Sequence, residues 1–333
     1  MNDFPIDIVI PWVDGSDPSW RAERAKYDAS ATSDNDEARY RVWDTFQYWF
    51  RGIEKNAPWV RKIHFLTVGH VPEWLDVNHP KLNIVRHEEF IPKKYLPTFN
   101  SHTIELNMHR IPGLADHFIY FNDDVYLTQP TQKSDFFEGG LPKDTAVLGI
   151  VKNTDRSNYM PYIMLNMLAL INEKFDKREV MKGHFSHWFS LKYGKNLLNN
   201  ALISSWDCFT GFRNFHTCVP YLKSTLEEVW QTFPDVLDDT CSHKFRSKED
   251  VNQYLFRYWQ LVNNRFVPMK PNSAYITIGK QDVSVLENML AQERYKVICV
   301  NDDPILFDFE QEELNIKRAF DTVYPEKSSF ELV

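Results

Sequence analysis

The chain has 333 residues, of which 43% are hydrophobic and 25% are charged, and its formal net charge is −8 at pH 7. This length and composition are typical of a globular protein with a sizeable buried core. The negative charge argues against non-specific nucleic-acid binding, which requires clustered cations.

The cysteines and the N-terminal sequence indicate the cellular setting. Cys208, Cys218, Cys241 and Cys299 are widely spaced and form no CxxC pair, so neither a zinc ribbon nor a disulfide framework is expected. The start of the chain has no basic segment followed by a long apolar one, and no run approaches the ~20 apolar residues of a membrane span. We therefore expect reduced thiols in a cytoplasmic protein, with peripheral association at the inner face of the membrane as an open alternative.

The first part of the chain alternates between strand and helix patterns. Short apolar runs, each followed by a polar turn, predict strands at 6–13, 61–69, 81–87 and 117–122. Segments with helical spacing lie between them, at 38–55 and 100–110. This alternation predicts an α/β fold with a doubly wound, mostly parallel, Rossmann-like sheet. Ligands of such sheets bind at the carboxyl ends of the strands.

The second part of the chain begins with a change of pattern. Residues 157–203 carry Met, Leu, Phe and Trp at helical intervals and lack strand patterns, which predicts a helical insertion or lid. Further helices are expected at about 222–232 and 248–264, and further strands at about 273–278 and 296–300. We predict one catalytic domain over 1–333, which ends in a loose tail at 324–333.

Two acidic turns follow predicted strands. In "WVDGSD", Gly15 permits a sharp turn and Ser16 can bind a phosphate, although a plain strand-to-helix connection with Ser16 or Asp17 as N-cap explains the same letters. In "FNDDV" (121–125), adjacent acids supply the oxygen ligands that a hard divalent cation needs, and a solvated turn is the alternative. Both turns should lie on one edge of the sheet, so their carboxylates could converge.

Two further segments carry candidate site residues. In "LPTFNSHTIELNMHRIPGL" (96–114), Asn100 and Ser101 begin a helix, which is a natural anion site. His102, Glu105 and His109 share one face of that helix, unless Glu105 is only a capping-box acid and His109 a surface group.

The other segment, 215–251, contains His216 at a strand-to-loop transition and the densest basic patch of the chain. A histidine can act as general base near neutral pH, and an arginine can bind a phosphoryl group through two hydrogen bonds. A core histidine and a solvated run of charges are the alternative. The patch consists of His243, Lys244, Arg246 and Lys248.

Taken in order, these blocks resemble the Stealth family of sugar-phosphate transferases, which includes capsular polysaccharide phosphotransferases and the catalytic subunit of the lysosomal-enzyme GlcNAc-1-phosphotransferase. The first block is "IDIVIPWVDGSDPSW", and the second runs from "RYRVWDTFQYWF" to "LADHFIYFNDDVYL". The third runs from "FHTCVPYL" to "HKFRSKEDV", and the short fourth is "VICVNDD". Pro11 departs from the small or hydroxyl residue that we expect in the first block, and it cannot donate a ladder hydrogen bond.

The resemblance implies a nucleotide-sugar transferase type of Rossmann-like fold and a specific reaction. A hexose 1-phosphate passes from a nucleotide sugar, with UDP-hexose or UDP-N-acetylhexosamine expected, to a hydroxyl of a glycan acceptor. The product is a phosphodiester link of a capsular or cell-surface polysaccharide. The resemblance also implies Mg²⁺, or Mn²⁺ in its place, and peripheral association with capsule export machinery.

The resemblance carries roles onto matching residues. His216 would be the general base, and Arg246 would stabilise charge on the transferred phosphoryl group. Asp14, the third catalytic residue implied, would lie beside the pyrophosphate and its Mg²⁺. The residues implied for the metal are Asn122, Asp123, Asp124 and Asn301. The residues implied for substrate binding are Asp17, Arg61, Asn100, Ser101, Glu105 and Lys244.

Two other functions fit parts of the sequence. A metal-dependent nucleotide-sugar glycosyltransferase would also hold a metal and a diphosphate on an acidic strand-end turn. A non-catalytic carbohydrate-binding protein would use the ten tryptophans as stacking platforms, but most of them fall in periodic segments typical of a core. The residues alone separate the glycosyltransferase from a phosphotransferase poorly, although His216 and Arg246 favour phosphoryl transfer.

Overall fold

The structure, a computed structural model, describes residues 4–27, 43–301 and 308–332. The first residues of the predicted helix at 38–55 lie outside these ranges. The strands are β1 (Ile6–Pro11), β2 (Ile63–Thr67), β3 (Leu82–Arg86), β4 (His117–Tyr120), β5 (Val125–Leu127), β6 (Phe137–Glu138), β7 (Leu141–Asp144), β8 (Val219–Leu222), β9 (Val267–Pro268), β10 (Ser273–Thr277) and β11 (Val297–Asn301).

Helices are present in every predicted helical segment. The helices are α1 (Pro18–Ala25), α2 (Phe46–Asn56), α3 (His87–Phe90), α4 (Ser101–Leu106), α5 (Lys133–Phe136), α6 (Met160–Lys174), α7 (Lys177–Lys182), α8 (Phe185–Trp188), α9 (Leu197–Ile203), α10 (Lys223–Thr232), α11 (Pro234–Ser242), α12 (Tyr254–Val262), α13 (Ser284–Ala291) and α14 (Phe309–Asp321). Some of them, among them α1, α11, α13 and α14, were not predicted. Helix α12 begins six residues later than predicted, because the residues before it form a turn in which Ser247 N–H donates to the Asp250 carboxylate.

The central sheet has the strand order β3-β2-β1-β4-β8. Strand β1 is parallel to β2 on one side and to β4 on the other, with Ile8 opposite both Ile63 and Ile119. Strands covered on both faces are expected to be continuously apolar, and Ile6, Ile8, Val9 and Ile10 are fully buried. The predicted doubly wound α/β sheet is therefore confirmed.

Alternating side chains of the sheet contribute to two separate cores. Ile8 and Ile10 belong to one apolar cluster with Trp49 and Phe50 of α2. Val9, between them, belongs to the other cluster, together with Leu106 of α4 and residues of α6, α10 and α12. This arrangement follows from the two-residue period of a strand.

Strand β8 departs from the parallel pattern. It runs antiparallel to β4, with Tyr120 opposite Val219, so the residues that precede β8 reach the edge where β4 ends. Two smaller sheets have the orders β10-β11-β5 and β6-β7-β9. Pro11 is the last residue of β1, and Trp12 N–H continues the ladder by donating to the Leu66 carbonyl, so the proline leaves the pairing regular there.

The segment at 157–203 is helical and contains α6 to α9. Its two ends lie side by side, because Gly149 N–H donates to the Gly211 carbonyl and Val151 N–H to the Thr210 carbonyl, at 2.9 and 3.1 Å. Ile163, on α6, is fully buried in one of the two cores. The segment is thus packed on the domain, and its role as a lid stays a prediction.

The prediction of a loose tail at 324–333 is wrong for the described residues 324–332. Phe330 is 2% exposed and its ring lies 5.3 Å from that of Phe50. The Glu331 carboxylate binds the Arg51 guanidinium through two hydrogen bonds of 2.8 and 2.7 Å. Apolar and charge-assisted contacts with α2 hold this segment, although its sequence has no clear periodicity.

The predictions on thiols and membrane spans can be compared with the structure. All four cysteines are free thiols, so the expectation of no disulfide framework is confirmed. Among the described residues, every helix is too short or too polar to cross a membrane.

Candidate active site

The polar turns after β1 and β4 lie on the same edge of the central sheet. The two strands are adjacent and parallel, so the prediction that 14–17 and 122–124 share an edge is confirmed. The antiparallel direction of β8 brings the residues before Val219 to this edge as well. Asp124 and His216 consequently meet, although 91 intervening residues separate them in the chain.

Asp124 is the centre of the contacts at this edge. Its Oδ2 atom lies 3.3 Å from Nε2 of His216 and accepts a hydrogen bond from the Cys299 thiol at 3.2 Å. The potential ligand atoms of these three residues lie within 4.8 Å of one another. Sequence reasoning missed Cys299, which it treated only as an unpaired thiol. Its position two residues before the predicted metal ligand Asn301 in "CVN" was the available signal.

The other carboxylate oxygen of Asp124 fits a cation. Asp124 Oδ1 is buried and has no hydrogen-bond partner in the described part of the chain. An unpaired buried anionic oxygen is costly unless a cation or a proton meets it. The thiol of Cys299 is a poor ligand for Mg²⁺. Burial and the Asp124 charge raise the pKa of this thiol well above its usual value, so it remains a hydrogen-bond donor.

The remaining residues predicted to bind metal lie on both sides of Asp124. Strand β11 pairs with β5, and Val300 N–H donates to the Asp124 carbonyl at 2.8 Å, which places Asn301 beside the turn. The pKa of Asp123 is raised to about 7, first by desolvation from neighbouring protein atoms and second by the negative charge of Asp124. Part of the Asp123 side chain is nevertheless exposed to solvent. The residues present therefore fit a hard divalent cation held by oxygen atoms.

His216 has the surroundings of a general base. Burial disfavours its imidazolium form, but the hydrogen bond and charge of Asp124 outweigh burial and raise the pKa of His216. The Tyr275 ring lies nearly perpendicular to the imidazole, at 81°, with ring centroids 5.6 Å apart. Because Nε2 faces Asp124, the other ring nitrogen, Nδ1, is the atom that can accept a proton in the neutral imidazole.

A second polar cluster surrounds the start of α4. Asn100 is the N-cap, and its Oδ1 atom accepts from His102 N–H at 3.0 Å. Ser101 Oγ accepts two hydrogen bonds from Arg246, from Nε at 3.2 Å and from Nη2 at 2.7 Å. The structure therefore brings Arg246 to the adjacent residues Asn100 and Ser101, about 145 residues earlier in the chain.

The buried carboxylate of Asp250 organises this second cluster. It accepts from Nδ1 of His102 at 2.9 Å, from Nδ1 of His243 at 2.7 Å and from Asn100 Nδ2 at 2.9 Å. Burial opposes ionisation, but these hydrogen bonds outweigh it and lower the pKa of Asp250. Sequence reasoning did not select Asp250, because an acid inside the basic run "HKFRSKED" is typical of a solvated surface.

Glu105 connects the two clusters. It is buried, accepts from the Tyr120 hydroxyl and from Gln253 N–H at 3.3 Å each, and burial raises its pKa. Tyr120 is the last residue of β4 and lies two residues before Asn122. The turn at 122–124, the proposed metal turn, therefore lies close to α4. Since Asn100 is the N-cap, Glu105 lies beyond the position of a capping-box acid, and that alternative is wrong.

Some predicted site residues are engaged elsewhere. Arg61 precedes β2 at the opposite edge of the sheet and binds the buried carboxylate of Asp7, so the structure does not bring it to the proposed phosphate site. Asp17 is the N-cap of α1, as the alternative interpretation had it. Lys244 donates to the Tyr95 carbonyl at 3.1 Å. Asp14 lies at the correct edge, where it accepts from Ser16 N–H and Oγ.

Comparison with known proteins gives a consistent result. Stealth protein conserved region 1 matches residues 4–31, conserved region 2 matches 39–144 and conserved region 3 matches 215–259. The match of "VICVNDD" to a fourth region stays a prediction, and 302–307 lie outside the described residues.

Relatives resemble this chain over nearly its whole length. Capsular polysaccharide phosphotransferase WcwK of Streptococcus pneumoniae is 41% identical over 98% of both chains. Receptor polysaccharide phosphotransferase WefC of Streptococcus gordonii is 40% identical over 98% of this chain and 99% of its own. Exopolysaccharide phosphotransferase cps2G of Lactiplantibacillus plantarum is 36% identical over 98% and 96%.

These relationships and the α/β fold with its polar strand edge define the class of protein: the chain is a phosphotransferase. The family is shown by matches to three conserved regions and by about 40% identity to relatives over nearly the full length. The chain belongs to the Stealth family.

Proposed function

We propose that this phosphotransferase moves a hexose 1-phosphate from a nucleotide sugar to a glycan hydroxyl and so builds phosphodiester links of a cell-surface polysaccharide. UDP-hexose or UDP-N-acetylhexosamine is the proposed donor, and nucleoside monophosphate is the leaving group. The observation that carries the proposal is the pairing of His216 with Asp124, which leaves the second oxygen of Asp124 unpaired. A base beside a cation site is what transfer of a phosphoryl group to a hydroxyl requires.

His216 is the proposed base. Its Nδ1 atom accepts the proton of the acceptor hydroxyl while the Nε2 proton is held by Asp124, 3.3 Å away. The charge of Asp124 stabilises the imidazolium ion that forms, which is the same effect that raises the pKa of His216 in the free protein. This arrangement keeps the imidazole in one orientation and one tautomer during the transfer.

Mg²⁺ or Mn²⁺, when bound, would neutralise charge on the donor diphosphate. The proposed ligands of this cation are Asn122, Asp123, Asp124 and Asn301. Asp124 contributes the unpaired Oδ1 atom. Asp14 lies on the same edge and is proposed to orient the reacting centre. Because Ser101 holds the Arg246 guanidinium by two of its nitrogens, the remaining N–H groups can bind phosphoryl oxygens. The sugar would be oriented by Asn100, Ser101 and Glu105. We also propose that the protein acts in the cytoplasm, at the inner face of the membrane.

The test is a product assay with purified protein, Mg²⁺, a panel of nucleotide sugars and short glycan acceptors. We expect release of nucleoside monophosphate and a phosphodiester signal in the ³¹P spectrum of the product. Release of nucleoside diphosphate with a phosphate-free product would identify a glycosyltransferase instead. The variant His216→Ala should lose turnover by about 10²- to 10⁴-fold while remaining folded, and the exposed His184→Ala serves as its matched control.

A second assay tests the cation site. We expect chelation by EDTA to abolish turnover and added Mg²⁺ to restore it. Asp124→Asn should weaken Mg²⁺ binding measured by calorimetry, because the variant replaces the unpaired anionic oxygen with a neutral group. Equal Mg²⁺ affinity of the variant and the wild-type protein would contradict the metal role of Asp124.

A further inference from the structure

A large cavity lies beside the loop that carries His216. Its volume is about 770 Å³, which is within the range of small-molecule sites. Phe215 and Thr217 line it, whereas His216 between them contacts Asp124. The cavity and the metal turn are therefore separated by a single segment of chain.

The wall of the cavity is strongly cationic although the chain as a whole is acidic. Six cationic side chains and two acidic ones line it, a formal surplus of four positive charges in a chain of net charge −8. The cations are Lys143, Lys192, Arg257, Lys270, Arg294 and Lys296, and the acids are Asp135 and Asp144.

Half of these cations have carboxylate partners. Arg257 pairs with Asp144, Lys296 with Asp135 and Lys143 with Glu138. The other three lack a carboxylate partner in the described ranges. Lys192 donates to the Pro268 carbonyl, Arg294 lies over the Tyr295 ring, and Lys270 is exposed.

The unpaired cations come from three separate parts of the chain. Lys192 belongs to the helical segment at 157–203, Lys270 follows β9, and Arg294 lies between α13 and β11. Like charges brought together from separate elements repel one another, and an anionic ligand would relieve that repulsion.

The proposed reaction indicates which ligand this anion belongs to. A nucleotide sugar with a neutral sugar carries its negative charge in the diphosphate, and the diphosphate must lie where the phosphoryl bond breaks, at the metal turn. The cations of the cavity therefore have no donor charge to meet. The acceptor hydroxyl must reach His216, so the acceptor chain passes this loop.

We propose that the cavity binds a phosphate group carried by the acceptor glycan, at a distance from the hydroxyl that reacts. This inference rests on the proposed function, because the polysaccharide of such an enzyme contains phosphodiesters. The same chemistry is present in an internal phosphodiester of the glycan and in a diphosphate ester at its reducing end. The cavity thus selects acceptors that are already phosphorylated.

The test uses the acceptor that supports turnover by the wild-type protein, prepared in three forms: neutral, with an internal phosphodiester, and with a reducing-end diphosphate ester. In the double variant Lys270→Gln/Arg294→Gln, we expect the KM for a phosphorylated acceptor to rise roughly fivefold to tenfold, since two screened charge contacts are lost. The kcat and the donor KM should stay unchanged, and the neutral acceptor should show no difference. Arg178→Gln/Lys182→Gln on the exposed surface of α7 is the matched control.

Discrimination with either phosphorylated form supports the proposal, and the form that shows it identifies the source of the phosphate. An unchanged KM for both forms overturns it, and so does an equal rise for the neutral acceptor. A rise in the donor KM alone would assign the cavity to the donor. If the wild-type protein releases no nucleoside monophosphate at all, the proposed function has failed rather than the role of the cavity.

Discussion

At the scale of single residues, the site depends on carboxylates with two separate tasks. Asp124 contacts His216 with one oxygen and has no hydrogen-bond partner at the other in the described residues, while Asp250 fixes His102, His243 and Asn100 from a buried position. Neither acid can be replaced by a neutral isostere without changing what its neighbours do. Positioning of the polar groups is thus shared between an accessible acid and a buried one.

Replacing Arg246 with lysine should separate charge from geometry. Lysine keeps the positive charge, but it cannot span Ser101 and a phosphoryl group with a planar fork of donors. We expect Arg246→Lys to lower kcat by about 100-fold with an unchanged melting temperature. The same replacement at exposed Arg178 should have no effect, and kcat of Arg246→Lys within threefold of wild type would contradict the assigned role.

At the scale of elements, close packing of α2 places the surrounding strands. The carbonyl of Leu127, in β5, accepts from Asn56 Nδ2 at 3.0 Å and from the Tyr324 hydroxyl at 2.7 Å. Gly52 lies against the same carbonyl, and β5 leads back directly to Asp124. Packing of this helix therefore contributes to the position of the turn at 122–124, the proposed metal turn.

We expect Gly52→Ala to destabilise the protein. A Cβ atom at this position would lie 2.8 Å from the Leu127 carbonyl oxygen, which its two donors hold in place. Alanine gains ~1 kcal/mol in helix propensity over glycine, but the strain should outweigh this gain. We expect a net decrease in the free energy of unfolding of roughly 1–3 kcal/mol. Gly183→Ala, where no atom lies within 4 Å, is the control in urea unfolding. Equal stability of the two variants would disprove the close contact.

The C-terminal segment should behave as part of the core. Phe330 packs against Phe50 and against His79, with ring centroids 5.3 and 3.8 Å apart. Phe330→Ala should therefore cost about 3–5 kcal/mol in thermal or chemical unfolding. Leu332→Ala, two residues later and 50% exposed, should change stability by less than about 0.5 kcal/mol. A small effect at both positions would show that the C-terminal segment contributes little to stability, as expected of a loose tail.

At the scale of the whole molecule, the two edges of the central sheet have different tasks. The carboxyl edge carries Asp124, His216 and the polar turn after β1. The opposite edge carries a buried ion pair in which Asp7 binds Arg61 and His64 and accepts from Ala115 N–H. The proposed reacting groups therefore lie at one end of the strands, and structural charge pairing lies at the other.

This ion pair predicts how stability depends on pH. Burial opposes ionisation of Asp7, but its hydrogen bonds lower the pKa from 3.8 to about 2 in the folded protein. Its contribution of about 2 kcal/mol is present above pH 4 and is lost as the pH falls towards 2. Asp7→Asn should lower the melting temperature at pH 7, with the difference from wild type shrinking between pH 4 and 2. A constant difference, equal to that of exposed Asp207→Asn, would contradict this linkage.

The sequence predicts much of the fold and part of the site. Continuous apolar runs locate β1, β2 and β4, because strands covered on both faces have no polar side. The shared edge follows from parallel pairing alone. The contact of His216 with Asp124 does not, because it depends on the antiparallel direction of β8. Asp250, Cys299 and the tail were missed because their contacts are distant in sequence and leave no local periodicity.

The paired ends of the helical segment have a consequence for engineering. The helical segment follows Val151 and ends before Thr210, and a hydrogen bond joins these two residues. A replacement segment of different length could therefore be joined at the same two points. Such a graft would need to carry its own apolar face, because Ile163 and Trp188 fill one of the cores. A chimaera built in this way would exchange the wall that supplies Lys192, and it would need to keep the hydrogen bonds by which Asn166 supports the carbonyls of Lys248 and Asp250. Recognition of a polymer would then be varied while the loop that carries Arg246 stays in place.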